Sequence, residues 1–211
     1  MKIYTGTCGG KKIEKLKKYE LGIMLSPSPN KNPWKTMRQV PCALDNGAFR
    51  QWQRGYPFME KVFLTYLENC FKIGIDLDFI VCPDIVTGGK RSLDFSIEYA
   101  FNKMSTAQNL ALAVQDGVTP LDVGKHCLDG FTHIFVGGTV DWKWLTAKSW
   151  VKFAHDKNMK CHIGRCGTLK RLIYAKKIKA DSVDSTSFVR NENWGVIGKY
   201  LEDERKNGKL L

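Results

Sequence analysis

Four short stretches of this chain run from apolar residues into a carboxylate or an amide: Leu44-Asp45-Asn46-Gly47, Val81-Cys82-Pro83-Asp84, Val114-Gln115-Asp116-Gly117 and Ser182-Val183-Asp184-Ser185. If their ends share one surface, the chemistry available is that of paired acids. Carboxylates held close together do not all ionise, so one stays charged as a nucleophile or cation stabiliser while another keeps its proton near neutrality. Gln115 adds an amide that donates and accepts, which is costly to bury unpaired and suits the edge of a heterocycle. Taken singly, each acid reads equally well as a turn or helix-cap residue. The pattern gains its force by recurring at the ends of several apolar runs.

Glycines and cations surround these positions. Gly137-Gly138 offers bare backbone to a ligand that comes close. Gly164-Arg165-Cys166-Gly167 leads into a segment carrying Lys170, Arg171, Lys176 and Lys177, a place where barrels often hold phosphate. A lone charge run is usually a solvated face, and the adjoining glycine turn is what favours a phosphate contact here. Arg50 follows the Asp45 stretch, and 85–91 reads as a flexible basic loop containing Lys90 and Arg91.

Eight apolar runs read as the strands that position these groups: 2–7, 21–25, 41–45, 78–82, 110–115, 133–136, 160–164 and 181–185. Helical segments are expected at 13–19, 59–73, 93–104, 119–128, 144–157, 169–178 and 194–205. In 59–73, Val62, Phe63, Tyr66, Leu67, Cys70 and Phe71 recur at spacings of three and four, one helical face. Thr119-Pro120 and Asn193 read as helix starts. Strands separated by helices pair in parallel, and eight such units close into a barrel more often than they stay open. The strands are continuously apolar, as they are when helices cover a sheet. The expected fold is α/β, a single compact (β/α)8 TIM-barrel domain over 1–211, irregular after the second strand. There 26–34 is a proline-rich loop, of a kind that is usually functional or mobile. From Glu202 onward a charged tail is expected. In a TIM barrel the C-terminal strand ends meet on one face, where the chemistry sits, and Asp184 is expected at its centre.

The chain carries 33 Lys and Arg against 21 Asp and Glu, a net charge of +12. Such an excess attracts polyanions, nucleic acid foremost, and is more than a small phosphorylated metabolite requires. Trp34, Trp52, Tyr56, Trp142, Trp144 and Trp194 lie among the charges, and rings beside cations suit unstacked bases, although helix packing uses the same residues. Seven cysteines with no C-x-C or C-x-x-C pair argue against a zinc site and for reduced core thiols. Neither a metal nor a cofactor is expected. No apolar run approaches a membrane span, and Met1–Thr5 reads as a strand start with no signal-peptide core after it. The expected location is the cytoplasm.

Five motifs together resemble the tRNA-guanine transglycosylases, in family order between Ala43 and Arg190. Asp45-Asn46-Gly47-Ala48-Phe49 is similar to the family's Asp-Ser-Gly-Gly-Phe. Ile80-Val81-Cys82-Pro83-Asp84 resembles the strand that carries its base-binding aspartate. Ala113-Val114-Gln115-Asp116-Gly117 resembles Val-Gln-Gly-Gly, Val136-Gly137-Gly138 the glycine turn on the base, and Ala180-Asp181-Ser182-Val183-Asp184 the Val-Asp-Met-Phe-Asp of the nucleophile. The zinc subdomain of the tRNA enzymes is missing, the chain is much shorter, and Asp116 stands where the family has glycine. These departures point to the small DNA-acting relatives that exchange guanine for a 7-deazaguanine, and so to the cytoplasm of a bacterial or phage-infected cell.

The resemblance implies an enzyme that cleaves an N-glycosidic bond of a flipped-out nucleotide, in DNA more than in tRNA, with a free nucleobase as possible co-substrate. It makes Asp184 the nucleophile or oxocarbenium stabiliser and Asp45 the acid/base. Asp84, Gln115, Gly137, Gly138, Asn46 and Phe49 would hold the base, and the loop 27–34 would fill the gap left by flipping. Arg50, Lys90, Arg91, Arg165 and Lys170 would hold phosphates. Base exchange is the favoured reaction. A DNA glycosylase that excises a modified base by hydrolysis would use the same residues. A non-catalytic nucleic-acid-binding barrel, with the acids as caps, is the reading from another class.

Overall fold

The computed structural model describes residues 1–27 and 37–208. Eight parallel strands close into a barrel in sequence order: β1 (Lys2–Gly6), β2 (Gly22–Leu25), β3 (Cys42–Leu44), β4 (Leu77–Val81), β5 (Leu110–Val114), β6 (Phe131–Val136), β7 (Lys160–Ile163) and β8 (Ser182–Ser185). Closure runs through the β1–β8 ladder, where Lys2 pairs with Ser182 and Tyr4 with Asp184. The protein is a compact (β/α)8 TIM barrel.

Among the described residues the helices are α1 (Lys12–Lys18), α2 (Ala48–Trp52), α3 (Glu60–Lys72), α4 (Lys90–Lys103), α5 (Pro120–Val123), α6 (Val140–Asp156), α7 (Leu169–Lys177), α8 (Ser187–Arg190) and α9 (Trp194–Gly208). None of them is long and apolar enough to cross a membrane. The proline-rich loop expected at 26–34 lies, from residue 28 on, outside the described residues.

Both faces of the strands are covered. In β5, Leu-Ala-Leu-Ala-Val, every residue is buried, which is why no polar alternation marks it in the sequence. Outward-facing residues join the helices in the large core, while Tyr4, Met24, Ala43, Phe79, Val81, Ala111, Ala113 and Phe135 fill the barrel lumen. Alanines on β3 and β5 leave room for rings from β1, β4 and β6. Phe79 meets Tyr4 edge-on at 5.7 Å and lies 5.1 Å from the His162 ring, on which Phe135 stacks at 4.9 Å. This aromatic plug closes the lumen beneath the C-terminal strand ends.

Gly22 is forced by the same packing. A Cβ there would stand 2.6 Å from the Tyr4 ring and 2.9 Å from the Pro41 carbonyl. Tyr4 is pinned in turn, donating its hydroxyl to Asp78 Oδ2 at 2.8 Å. Gly22→Ala is therefore expected to destabilise the fold by about 2–3 kcal/mol, read as a lower urea midpoint with an unchanged slope.

Three local expectations are corrected. The helix expected over 119–128 is only Pro120–Val123: Thr119 and Asp122 form a capping box, but Gly124 follows and Leu121 faces solvent, so no apolar face carries it further. Lys90 and Arg91 are not in a flexible loop but in the first turn of α4, after a turn closed by Gly88 N–H to Ile85 O at 2.8 Å. The charged tail is helical to Gly208, and Lys176 on α7 pairs with Glu204 at 2.7 Å.

Candidate active site at the C-terminal strand ends

Asp45, Asp84, Gln115 and Asp184 follow or end β3, β4, β5 and β8, so barrel closure alone brings them to one face. Asp184 is held from β7 and from the turn that follows it. Its Oδ1 accepts from the Arg165 N–H at 3.0 Å and lies 3.2 Å from His162 Nε2, while His162 Nδ1 lies 2.8 Å from the Ser182 hydroxyl. The His162 ring is fully buried, and burial lowers its pKa although Asp184 opposes this. A neutral ring that donates Nε2–H to Asp184 must accept from Ser182, which fixes the tautomer. Burial works against the charge of Asp184, yet the His162 bond, the Lys143 ammonium and the Arg165 N–H hold its carboxyl below the ordinary value. Asp184 therefore stands ionised.

Asp45 goes the other way. Burial, then the charges of Asp184 and Asp84, push its pKa up to about 7, against N–H bonds from Gly47 and Asn46. Gly47 has φ of 77° as it turns the chain from β3 into α2, a conformation that glycine takes without strain. Asp84 is also raised, by burial, against bonds from Asn46 and Gln115. Those bonds are close: Asn46 Nδ2 donates to Asp84 Oδ1 at 2.8 Å and to Cys82 O at 2.9 Å, and Gln115 Nε2 donates to Asp84 Oδ2 at 3.0 Å. Gln115 Nε2 also reaches Ile85 O at 3.0 Å and Ser92 Oγ at 2.9 Å. Its amide nitrogen is thus committed to protein partners, and what it visibly does is aim Asp84.

The glycine turns are occupied too. Gly137 N–H donates to Val114 O at 2.8 Å. Gly138, at φ of 71°, packs where a Cβ would run into the Asp116 carboxylate and the Trp142 ring. Asp116 is a bridge between loops: its two oxygens accept from the Thr139 N–H at 2.7 Å and hydroxyl at 2.5 Å. The turn at 164–167 serves Asp184 and β6, since Gly164 N–H donates to Val136 O, Arg165 N–H to the Asp184 carboxylate and Cys166 N–H to Asp184 O. These three amides are engaged within the protein.

Of the expected phosphate ligands, Arg50 on α2, Arg91 on α4 and Lys170 on α7 are exposed, all on helices that start from this face. Lys90 is paired with Asp122 Oδ1 at 2.8 Å. Arg165, at φ of 62°, lays its guanidinium 3.8 Å above the Phe49 ring, and Phe49 lies 5.7 Å from Trp52. A stack therefore leads from beside Asp184 outward to an exposed tryptophan. Among the described residues no group of three or more His, Cys, Asp or Glu side chains is set to hold a metal ion.

No protein-family model and no curated protein matches this chain.

Two residues of the site escape the sequence reading. Lys143 on α6 is 1% exposed and donates to Gly164 O at 2.7 Å. It falls in register with the buried Ala147, Trp150, Val151 and Ala154; a lysine on the apolar stripe of a helix was the available signal. His162 sits inside the run Lys160-Cys161-His162-Ile163, where it resembles core filler. Its pairing with Ser182 across the β7–β8 ladder reveals its role.

Proposed function

We propose that this protein is a nucleic-acid base-modifying enzyme that breaks an N-glycosidic bond, with base exchange in DNA as the favoured reaction. One observation carries the reading: two carboxyls on one face, the charge of one acting on the other, are biased to opposite protonation states, Asp184 ionised and Asp45 protonated to about pH 7. Glycosidic cleavage needs that pair. The Asp184 carboxylate attacks the sugar C1′ as the C1′–N bond breaks. The bonding electrons leave with the base, which takes the Asp45 proton. In the return step Asp45 accepts a proton from an incoming base, whose nitrogen attacks C1′ and frees Asp184 as a carboxylate. Asp84, held by Asn46 and Gln115, faces the base edge, and Phe49, under the Arg165 guanidinium, offers the base a ring.

The nucleic-acid side of the reading rests on charge and on rings. The net charge is +12, and beyond Phe49 the chain exposes Trp52, between Arg50 and Arg54, and Tyr56 just after them. Aromatic faces beside guanidinium groups bind unstacked bases and their phosphates.

The test is incubation with single-stranded and duplex DNA carrying natural and modified bases, with and without free 7-deazaguanine, read by mass spectrometry. Incorporation that requires the added base is the expected result. Abasic sites formed without it would make the protein a glycosylase instead. Tight DNA binding with neither product, from DNA or tRNA, would leave the binding barrel.

A further inference from the structure

Lys143 is a lysine where a barrel of this kind has room for an apolar residue, and its burial calls for a reason. An ammonium at 1% exposure forfeits its hydration, and one hydrogen bond to a carbonyl does not replace that. What compensates is on β8. A Cβ on Gly164 would lie 3.3 Å from Asp184 Oδ1 and 3.5 Å from Lys143 Nζ, which puts the two charged groups within about 7 Å of each other, in a setting of low dielectric. Gly164 has no side chain to separate them. Burial draws the Lys143 pKa down to about 8, with Asp184 pulling it back up, so at neutral pH the ammonium keeps its charge.

We infer that Lys143 is the positioning residue of the second half-reaction, holding the Gly164–Cys166 turn that grips Asp184 and driving Asp184 to leave the sugar. This rests on the reading of Asp184 as nucleophile. In the first step the Asp184 carboxylate becomes a neutral sugar ester and Lys143 loses its counter-charge. In the second, an incoming base nitrogen or a water oxygen bonds to C1′, the C1′–O bond breaks, and its electron pair returns to Asp184 beside the ammonium. A cation near a carboxylate favours the ionised form over any neutral one by about 10-fold or more, so Lys143 keeps the covalent ester from becoming a sink. The other groups facing this pair are His162 on β7, Arg165 and Cys166 in the turn, Arg171 on α7, and Asp45 and Asp84 across the face. Arg165 and Arg171 disfavour the Lys143 charge, while Asp184 and, after it, Cys166 favour it.

The variants are Lys143→Gln, which can still donate to Gly164 O without carrying charge, and Lys143→Met, which can do neither. Two readouts are taken on each after circular dichroism has shown a folded chain. In the first, DNA substrate is mixed with enzyme and resolved under denaturing conditions. Lys143→Gln should accumulate a covalent protein–DNA adduct about 10-fold above wild type, with kcat and KM lowered together and kcat/KM little changed. In the second, ¹³Cγ-aspartate NMR follows the Asp184 carboxyl, assigned with Asp184→Asn. Its midpoint should rise by about one pH unit or more in Lys143→Gln. A turning-over Lys143→Gln with no added adduct and an unmoved carboxyl midpoint would overturn the inference, and so would misfolding of both variants with no charge effect measurable in either. A wild type that releases no base from any substrate would instead remove the reading of Asp184, while the carboxyl titration still reports whether Lys143 holds it ionised.

Discussion

Asp184→Asn is expected to end base release and base exchange, lowering kcat/KM by about 10⁴-fold or more while the barrel stays folded. Asparagine keeps the size of the side chain and an oxygen that accepts from the Arg165 N–H and His162 Nε2. It lacks the charge that attacks C1′ or stabilises the cationic sugar. The stability change is smaller, and its sign follows from the direction of the shift. The folded-state pKa of Asp184 is depressed, so its ionised form contributes stability above the unfolded value, and that contribution is lost as pH falls through the folded one. Removing the charge forfeits this contribution at neutral pH and at the same time relieves Asp45, whose pKa should fall because one of its two repelling carboxylates has gone. The measurement is single-turnover base release by mass spectrometry, paired with a urea melt. A variant within tenfold of wild type would move the nucleophile elsewhere.

The barrel was legible because parallel strands covered on both faces leave a simple trace: short apolar runs with helical periods between them. All eight runs are strands, with ends within about two residues of those expected. The convergence of Asp45, Asp84, Gln115 and Asp184 was legible for the same reason, since topology alone gathers strand ends. Three kinds of information were not. Helices of four or five residues, α2 and α8, are too short to show a period. Which way an amide faces is decided by partners distant in sequence: the Gln115 amide nitrogen is turned to Asp84, Ser92 and the Ile85 carbonyl. Buried ionisable groups that serve others are hidden as well. Lys143 reads as one more surface lysine among 33 basic residues, and His162 as part of an apolar strand. Each gains meaning only from β8, 41 and 20 residues further on in the chain.

Asp45→Asn should trade activity for stability, and both effects should carry the same pH signature. With a folded pKa of about 7, Asp45 holds the proton the departing base needs below that pH and has lost it above. Wild-type kcat/KM is therefore expected to fall as pH rises through about 7. Asp45→Asn should be slower by about 10²–10⁴-fold and lack that limb. For stability, the unfolded aspartate titrates near 3.8 and the folded one near 7, so between those values the folded state binds more protons. Stability must then fall as pH rises from about 4 to about 7 and level off above. At 1.36 kcal/mol per pH unit the penalty approaches about 4 kcal/mol as an upper bound, reduced by the part of Asp45 that solvent still reaches. Asparagine removes the charge, with it the burial cost and the repulsion from Asp184 and Asp84, so the variant should be more stable than wild type by about 2–3 kcal/mol at pH 8 and nearly equal to it at pH 4. Urea midpoints at the two pH values measure this directly. Equal midpoints at pH 8 would mean that Asp45 is ionised without strain, and the proton for the leaving base would then have to come from Asp84, the other carboxyl that burial raises.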